Sequence, residues 1–364
     1  MSNDASRKKA LESLVKRWHA SVEALAQREQ WDAVLVALDH PPLGLLDPPA
    51  WRWSIRGRAL EHLQRFEEAL SSYNQAIAVS EPTMARLVDT ARILINLHSY
   101  YEALRTLDQA MMCGSSHVTT EYTTGHIPSH SSSGEQVTLS EVWELTGYAQ
   151  LDLGHAAEAL IAFEHAVTLT PLNVSAWKGK GVALLTHNES ARALAAFDQA
   201  LQLDPSQATL WIGKGEALLD LNRLTQAIAA YTTAQEHGGL SATAQHNLGV
   251  AQFRLGRYVD ALQSFEYVIA QDAIDHLQSR SLAMRGRVLA RLHRDQDALH
   301  SYDQAIAVDA HNGHAWAGKF RLSLRYWRLR DAWHAGVRAF RLFMEDPEAD
   351  RRIRSHLADQ TLRR

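Results

Sequence analysis

The sequence predicts an all-α fold assembled from repeated helix pairs. Tryptophans and glycines recur with a period of 34 residues, small and aromatic residues keep the same period, and prolines follow them. The tryptophans and glycines that keep this period are Trp143, Trp177, Trp211, Gly147, Gly181, Gly215 and Gly249. One unit of two amphipathic helices, repeated along the chain, explains these observations together.

The unit that contains Trp177 shows why two helices are expected. Gly181 and Ala193 are small, so two helices can approach closely at these residues. Trp177 and Phe197 then fill the space beside that contact. Pro205 ends the second helix, because proline cannot continue it.

This unit resembles the tetratricopeptide repeat (TPR), whose pattern places tryptophan and glycine on a first helix, alanine and an aromatic residue on a second, and proline at the exit. The resemblance implies a right-handed superhelical solenoid of antiparallel helix pairs. It also implies that the first helices line a concave face, where partners bind.

The repeat columns divide the chain into five segments. Residues 50–112 and 140–346 carry TPR-like units, and a step of 37 residues between two glycines indicates a short insertion before the last units. Residues 1–49 are predicted to form a degenerate N-terminal helical pair that ends at a pair of prolines. Residues 113–139 interrupt the period, and residues 347–364 follow the last unit.

Composition suggests what the last two segments do. Residues 113–139 are rich in glycine, serine and threonine, so we expect a flexible polar insertion that either connects two units or binds a partner. In residues 347–364, Pro347 fits the first position of a helix, and Ile353 and Leu357 lie four residues apart. We expect a C-terminal capping helix, because a repeat stack otherwise ends on an exposed apolar face.

The overall composition excludes several classes of protein. With 364 residues, 46% of them hydrophobic, the chain has too much apolar material to be disordered. A formal net charge of -4 excludes a uniform polycation that coats nucleic acid. The single cysteine, Cys113, cannot form an internal disulfide, and no apolar run is long enough for a signal peptide or a membrane span. We therefore expect a cytoplasmic protein that makes no membrane contact.

Several strings resemble catalytic or metal sites, but the repeat argues against each. The Gly-Lys-Gly strings at 179–181 and 213–215 fall inside predicted first helices, whereas a phosphate loop joins a strand to a helix. His126 and His130 are separated by Pro128, which breaks any helix that would bring them together as metal ligands. We expect no catalytic residue, no metal and no cofactor.

The resemblance also implies which side chains line the concave face. They stand at the second, fifth, sixth, ninth, twelfth and thirteenth places of each unit, where Trp177 and its equivalents occupy the fourth. An acidic stretch at these places contains Glu141, Glu144, Tyr148 and Asp152. A basic stretch contains Asn247, Arg254, Arg280, Arg287, Arg291, Arg321 and Arg325, with Arg328 close behind. Glycines at the sixth place either admit a bulky partner segment or reflect close helix packing; they are Gly179, Gly213 and Gly318.

The charge is distributed unevenly along the chain. From residue 279 to the end there are 17 basic and 10 acidic residues, whereas the first 278 residues contain 20 and 31. Part of this asymmetry can serve solubility, but arginines that share one helical face also suit an anionic partner. Asn247 and Arg280 match two places of the clamp by which some TPR proteins hold a C-terminal carboxylate, but Glu216 and Met284 replace other members of that clamp.

We therefore expect a non-catalytic scaffold or adaptor that binds a protein or peptide partner with an acidic segment in the concave groove. One alternative is a nucleic-acid-binding protein that uses the same arginines, although few aromatic residues lie among them. Another is the regulatory subunit of an enzyme complex.

Overall fold

The computed structural model describes residues 2–42, 50–124, 139–271, 275–326 and 329–345. Over these residues the chain forms eighteen helices and no strand, so the predicted all-α fold is confirmed. The helices belong to two compact units, unit 1 from Met1 to His187 and unit 2 from Asn188 to Arg364.

Unit 1 contains three complete helix pairs of the repeat, preceded by two further helices. Its helices are α1 (Ser2–Gln27), α2 (Trp31–Asp39), α3 (Ala50–His62), α4 (Phe66–Val79), α5 (Met84–Asn96), α6 (Tyr100–Thr124), α7 (Leu139–Asp152), α8 (Ala156–Leu169) and α9 (Val174–Thr186). Helices α3 and α4 pack as a pair, as do α5 with α6 and α7 with α8, and each second helix packs against the next first helix. The predicted N-terminal pair corresponds to α1 and α2.

Unit 2 continues the same arrangement. Its helices are α10 (Ser190–Leu203), α11 (Ala208–Asp220), α12 (Leu224–His237), α13 (Ala242–Arg254), α14 (Tyr258–Ala270), α15 (Asp275–Arg291), α16 (Asp295–Val308), α17 (Gly313–Arg325) and α18 (Leu329–Glu345). The first helices α11, α13, α15 and α17 also contact one another in order. Side chains on these helices can therefore meet although they are more than 30 residues apart in sequence.

A buried aromatic ring holds consecutive helix pairs together. Phe163 on α8 lies between two glycines, because a Cβ atom would come within 2.7 Å of its ring at Gly147 and within 2.2 Å at Gly179. Tyr302 on α16 lies in the same way between Gly286 and Gly318, at 2.7 and 2.3 Å. The sixth-place glycines thus reflect close helix packing. The other fully buried rings of this column are Tyr73, Phe197, Tyr231 and Phe265.

Two predicted segments differ from the structure or lie outside it. Helix α6 continues to Thr124, so the first part of the predicted flexible insertion at 113–139 is helical. The reason is that no proline occurs in this part, and the chain reaches Gly125 and Pro128 only after the helix has ended. Residues 125–138 and the predicted capping helix at 347–364 lie outside the described residues.

Candidate partner-binding site

Four of the predicted arginines lie on three neighbouring first helices of unit 2. Arg287 and Arg291 are one turn apart on α15, and α15 packs against both α13, which carries Arg254, and α17, which carries Arg321. We call these four residues the arginine cluster. Arg287 is half-buried, and the other three side chains are exposed.

Arg287 lies at the centre of the arginine cluster, in surroundings that do not balance its charge. Its guanidinium carbon is 5.0 Å from the centre of the Phe253 ring, and its Nη1 atom donates to Met284 Sδ over 3.3 Å. Burial lowers the pKa of Arg287, and the charges of Arg321, Arg291 and Arg254 lower it further. The three other arginines are therefore close enough to repel it.

The hydroxyl of Tyr302 lies beside the arginine cluster. Its ring is held between Gly286, which precedes Arg287 in sequence, and Gly318, which is three residues before Arg321. Burial raises the pKa of Tyr302 to about 12, while the nearby charges of Arg321 and Arg287 act in the opposite direction. Guanidinium groups and a phenol hydroxyl thus share one small region of unit 2.

No carboxylate of the described residues forms an ion pair with a member of the arginine cluster. Placing like charges together in a partly buried position is unfavourable unless an anion joins them. This region of unit 2 therefore has the electrostatic character of an anion-binding site.

The predicted basic stretch is broader than this cluster. Arg325 forms an ion pair with Asp295, at 2.9 Å between Nη1 and Oδ2, and the Tyr326 hydroxyl donates to the same carboxylate over 2.6 Å. Asp295 is 7% exposed, and these hydrogen bonds, led by the one from Tyr326, lower its pKa. Placing Arg325 among the free cations was therefore wrong, because its charge is already balanced within unit 2.

The remaining basic-stretch residues have other surroundings. Asn247 Nδ2 donates to Glu216 Oε1 over 3.4 Å. Arg280 is exposed on α15, and its charge contributes to lowering the pKa of the buried His246. Arg328 lies outside the described residues.

Three residues of the predicted acidic stretch make contacts within unit 1. Glu141 accepts a hydrogen bond from Arg92 over 2.6 Å, and Glu144 accepts one from Asn173 over 2.7 Å. The Tyr148 hydroxyl donates to the Ser175 carbonyl over 2.9 Å, and burial raises the pKa of Tyr148 to about 12. The fourth residue, Asp152, is exposed at the end of α7. Glu141, Glu144 and Tyr148 thus help to hold helices together.

Sequence analysis missed an ionic network in unit 1. Arg92 on α5 lies 3.2 Å from Asp89, 2.6 Å from Glu141 and 3.9 Å from Glu61, so it joins the first helices α3, α5 and α7. Burial raises the pKa of Asp89 to about 6 even though Arg92 acts against this shift. The unit of α5 has neither the tryptophan nor the glycine of the repeat, and its concave-face places were therefore not searched. Counting them from Ala91 puts Arg92 at the ninth place.

The Gly-Lys-Gly strings lie inside first helices, as predicted. Their lysines pair with the preceding second helix, Lys180 with Glu164 over 3.5 Å and Lys214 with Asp198 over 2.7 Å. Lys319 repeats the pattern with Asp303 over 2.6 Å. These lysines therefore stabilise the stacking of helix pairs.

Two further searches covered the described residues. They contain no group of three histidine, cysteine, aspartate or glutamate side chains arranged to hold a metal ion. No helix in this part of the chain combines the length and the apolar character needed to cross a lipid bilayer.

Comparisons with known proteins agree with this arrangement. Models of the tetratricopeptide repeat match residues 53–82, 145–208 and 212–274. The comparison with curated proteins found no match. Among solved structures, that of the APC/C hetero-tetramer Cut9-Hcn1 is similar over 96% of this chain and 86% of that chain, with 14% identity and a TM-score of 0.50.

Two other solved structures are also similar. YrrB, a TPR protein with an unusual peptide-binding site, shares 20% identity over 53% of this chain and 98% of that chain, with a TM-score of 0.42. A tetratricopeptide repeat protein from Parabacteroides merdae shares 12% identity over 76% of this chain and 98% of that chain, with a TM-score of 0.49. At these identities the likeness to Cut9-Hcn1 supports the fold alone. From its repeat columns, its paired helices and the matching repeat models, the chain is a tetratricopeptide repeat protein.

Proposed function

We propose that this protein is a non-catalytic scaffold that binds an acidic segment of a protein partner at the arginine cluster of unit 2. Tetratricopeptide repeats are protein-binding modules, and their first helices supply the side chains that contact the partner. The observation that carries the proposal is the half-buried Arg287, with Arg254, Arg291 and Arg321 around it and no carboxylate of the described residues paired with the four.

An acidic partner would relieve the repulsion within the arginine cluster. A carboxylate beside Arg287 forms charge-assisted hydrogen bonds in a partly buried site, where such bonds are stronger than in water. The exposed arginines around it attract the partner at longer range and speed up association. Glu141, Glu144 and Tyr148 are left out of the proposed site, because they already have partners within unit 1. The single cysteine is consistent with a scaffold that works in the cytoplasm.

The proposal can be tested by reversing two charges of the cluster. We would capture partners from the native cell with the wild-type chain and with the double variant Arg287→Glu, Arg321→Glu. The matched control is Arg223→Glu with Arg257→Glu, which changes the net charge equally at two exposed residues that precede second helices of unit 2. Partners retained by the wild type and the control are then titrated at low and high salt.

We expect the cluster variant to lose the partner and the control to retain it. Affinity for the wild type should fall as salt rises, because exposed charges are screened, and this dependence should be weaker in the cluster variant. Equal affinity of the wild type and the cluster variant for every captured partner would remove the arginine cluster from the binding site.

A further inference from the structure

The arginine cluster converges on one point. Arg287 and Arg291 come from α15, while Arg254 and Arg321 come from the helices packed on either side of it. The charges of all three neighbours reach the half-buried Arg287 guanidinium. A ligand for this arrangement must bring concentrated negative charge to Arg287, which one extended row of single carboxylates does less well.

Unit 1 shows how much negative charge such an arginine attracts within this protein. Arg92 stands at the ninth place of its unit, as Arg287 does, and three carboxylates lie within 4 Å of it. The cluster around Arg287 holds four guanidinium groups, and no carboxylate of the described residues pairs with them. One carboxylate would therefore leave most of its positive charge unbalanced.

A phosphoryl group suits this deficit better than a carboxylate. At neutral pH it carries a charge of about -1.5 to -2 and three acceptor oxygens, and guanidinium groups bind it through two parallel hydrogen bonds. Several arginines can share one phosphoryl group, each using a different pair of oxygen atoms.

The hydroxyl of Tyr302 adds a neutral donor to the same region. Tyr73 occupies the equivalent place in unit 1, but its hydroxyl donates to Glu61 over 3.2 Å. Tyr302 instead lies beside Arg287 and Arg321, with its ring held by Gly286 and Gly318. A hydroxyl that faces cations in this way can donate to an anion bound between them.

We propose that the arginine cluster and Tyr302 bind a phosphorylated side chain of the partner, with Arg287 at the centre of the phosphoryl site. This inference rests on the proposed function, because it names the acidic group that the scaffold recognises. Free phosphate and the phosphates of nucleic acid share the chemistry, and the experiment separates these sources.

The experiment uses the full chain and three fluorescent peptide mixtures. They have the same randomised flanking residues and differ only at the centre, which is phosphoserine, two adjacent glutamates or serine. Two glutamates match the charge of the phosphoserine without its geometry. Fluorescence anisotropy measures each affinity, first without a competitor and then with inorganic phosphate or a random single-stranded RNA.

Three variants assign the contacts. Arg287→Lys with Arg321→Lys keeps both charges but removes the paired hydrogen bonds of the guanidinium groups. Tyr302→Phe removes only the hydroxyl, and Phe163, Phe197 and Phe265 show that the same column of the repeat accepts phenylalanine. Arg223→Lys with Arg257→Lys is the matched control. Circular dichroism checks that each variant is folded.

We expect phosphoserine peptides to bind about tenfold more tightly than the two-glutamate peptides, and serine peptides not to bind. The lysine variant should lose about tenfold in affinity for phosphoserine and about twofold for two glutamates, and Tyr302→Phe about threefold for phosphoserine. Inorganic phosphate should compete only at millimolar concentration, since it lacks the contacts of the flanking peptide.

Each other outcome has a distinct meaning. Equal binding of phosphoserine and two-glutamate peptides would overturn the phosphoryl site and leave the proposed acidic partner intact. Tighter binding of RNA than of any peptide, lost in Arg287→Glu with Arg321→Glu, would overturn both in favour of nucleic acid. If no acidic mixture bound in a way that depends on the arginine cluster, the proposed function would fail at this site.

Discussion

Arg92 in unit 1 and Arg287 in unit 2 occupy the same place of the repeat but have opposite surroundings. Both are half-buried on a first helix, at the ninth place of their units. Arg92 has Asp89, Glu141 and Glu61 around it, and their charges together raise its pKa despite burial. Burial and the neighbouring arginines lower the pKa of Arg287.

The difference teaches that one backbone position can serve either stability or binding. The carboxylates around Arg92 come from three consecutive helix pairs, so the network joins these pairs and leaves little charge for a partner. The cluster around Arg287 also comes from three consecutive pairs, but its members repel one another. We infer that unit 1 uses the ninth place to hold its helices together and that unit 2 uses it to bind.

The largest expected effect comes from breaking the network around Arg92. Arg92→Met leaves three partly buried carboxylates without their shared cation, so we expect a loss of about 3 kcal/mol of unfolding free energy at pH 7. Urea denaturation, followed by circular dichroism, measures the loss. Arg105→Met on the exposed face of α6 is the control. A change no larger than that of the control would mean that the carboxylates do not need Arg92.

The second prediction concerns the pH dependence that Asp89 gives to unit 1. Its pKa is raised to about 6 from an ordinary value of 3.8, so the folded state takes up its proton more readily than the unfolded state. The stabilisation from this group is complete below about pH 4 and is lost as the pH rises through 6. Asp89→Asn should therefore raise stability by about 2 kcal/mol at pH 7 and have little effect at pH 4.

Thermal unfolding at a series of pH values tests the Asp89 prediction. Asp108→Asn on the exposed face of α6 is the matched control, because it removes a carboxylate that contacts water. If Asp89→Asn and the control showed the same pH profile, burial of Asp89 would not matter for stability.

The third prediction gives unit 2 the opposite dependence. His246 is 2% exposed, its Nδ1 atom is 2.8 Å from Ser281 Oγ, and burial lowers its pKa to about 4. Stability from the neutral ring is present above about pH 6.5 and is lost as the pH falls towards 4, by about 1 to 2 kcal/mol.

His246→Asn keeps a polar atom near Ser281 but does not titrate, so its stability should change less between pH 6.5 and 4 than that of the wild type. His237→Asn, at an exposed residue of α12, is the control. Thermal unfolding of the three chains decides the point, and parallel pH profiles for all of them would contradict it.

The fold was largely predictable because its main contacts recur with the sequence period. Gly147, Phe163 and Gly179 lie 16 residues apart in succession, and in the structure they form one contact between helices. The left-handed turn residues follow the same period, with Gln64, His98, Gly154, Asn222 and Gly256 all at positive φ. The length of α6 escaped prediction, because polar composition indicates solvent exposure and does not by itself end a helix.

The candidate site was only partly predictable, because its contacts cross between helices that do not follow one another in sequence. Counting places along α15 and α17 located Arg287 and Arg321 but could not show that Arg325 meets Asp295, 30 residues away. The burial of Arg287 depends on packing, including the Phe253 ring of α13, a neighbour that the spacing of arginines does not reveal. The network of Arg92 was missed because its unit has lost the residues that mark the repeat.

The smallest effect is also the one that separates the two arginines most sharply. Arg287→Met removes a partly buried charge from among three like charges, and methionine can pack against Phe253 and Met284. We expect stability to rise by up to about 1 kcal/mol, in contrast to the loss from Arg92→Met. Arg291→Met, at an exposed residue of the same helix, should change stability less. Added salt should stabilise the wild type more than Arg287→Met, because it screens the repulsion that the variant lacks. If Arg287→Met instead lost as much stability as Arg92→Met, both arginines would be structural, and the basis for treating the cluster in unit 2 as a binding site would disappear.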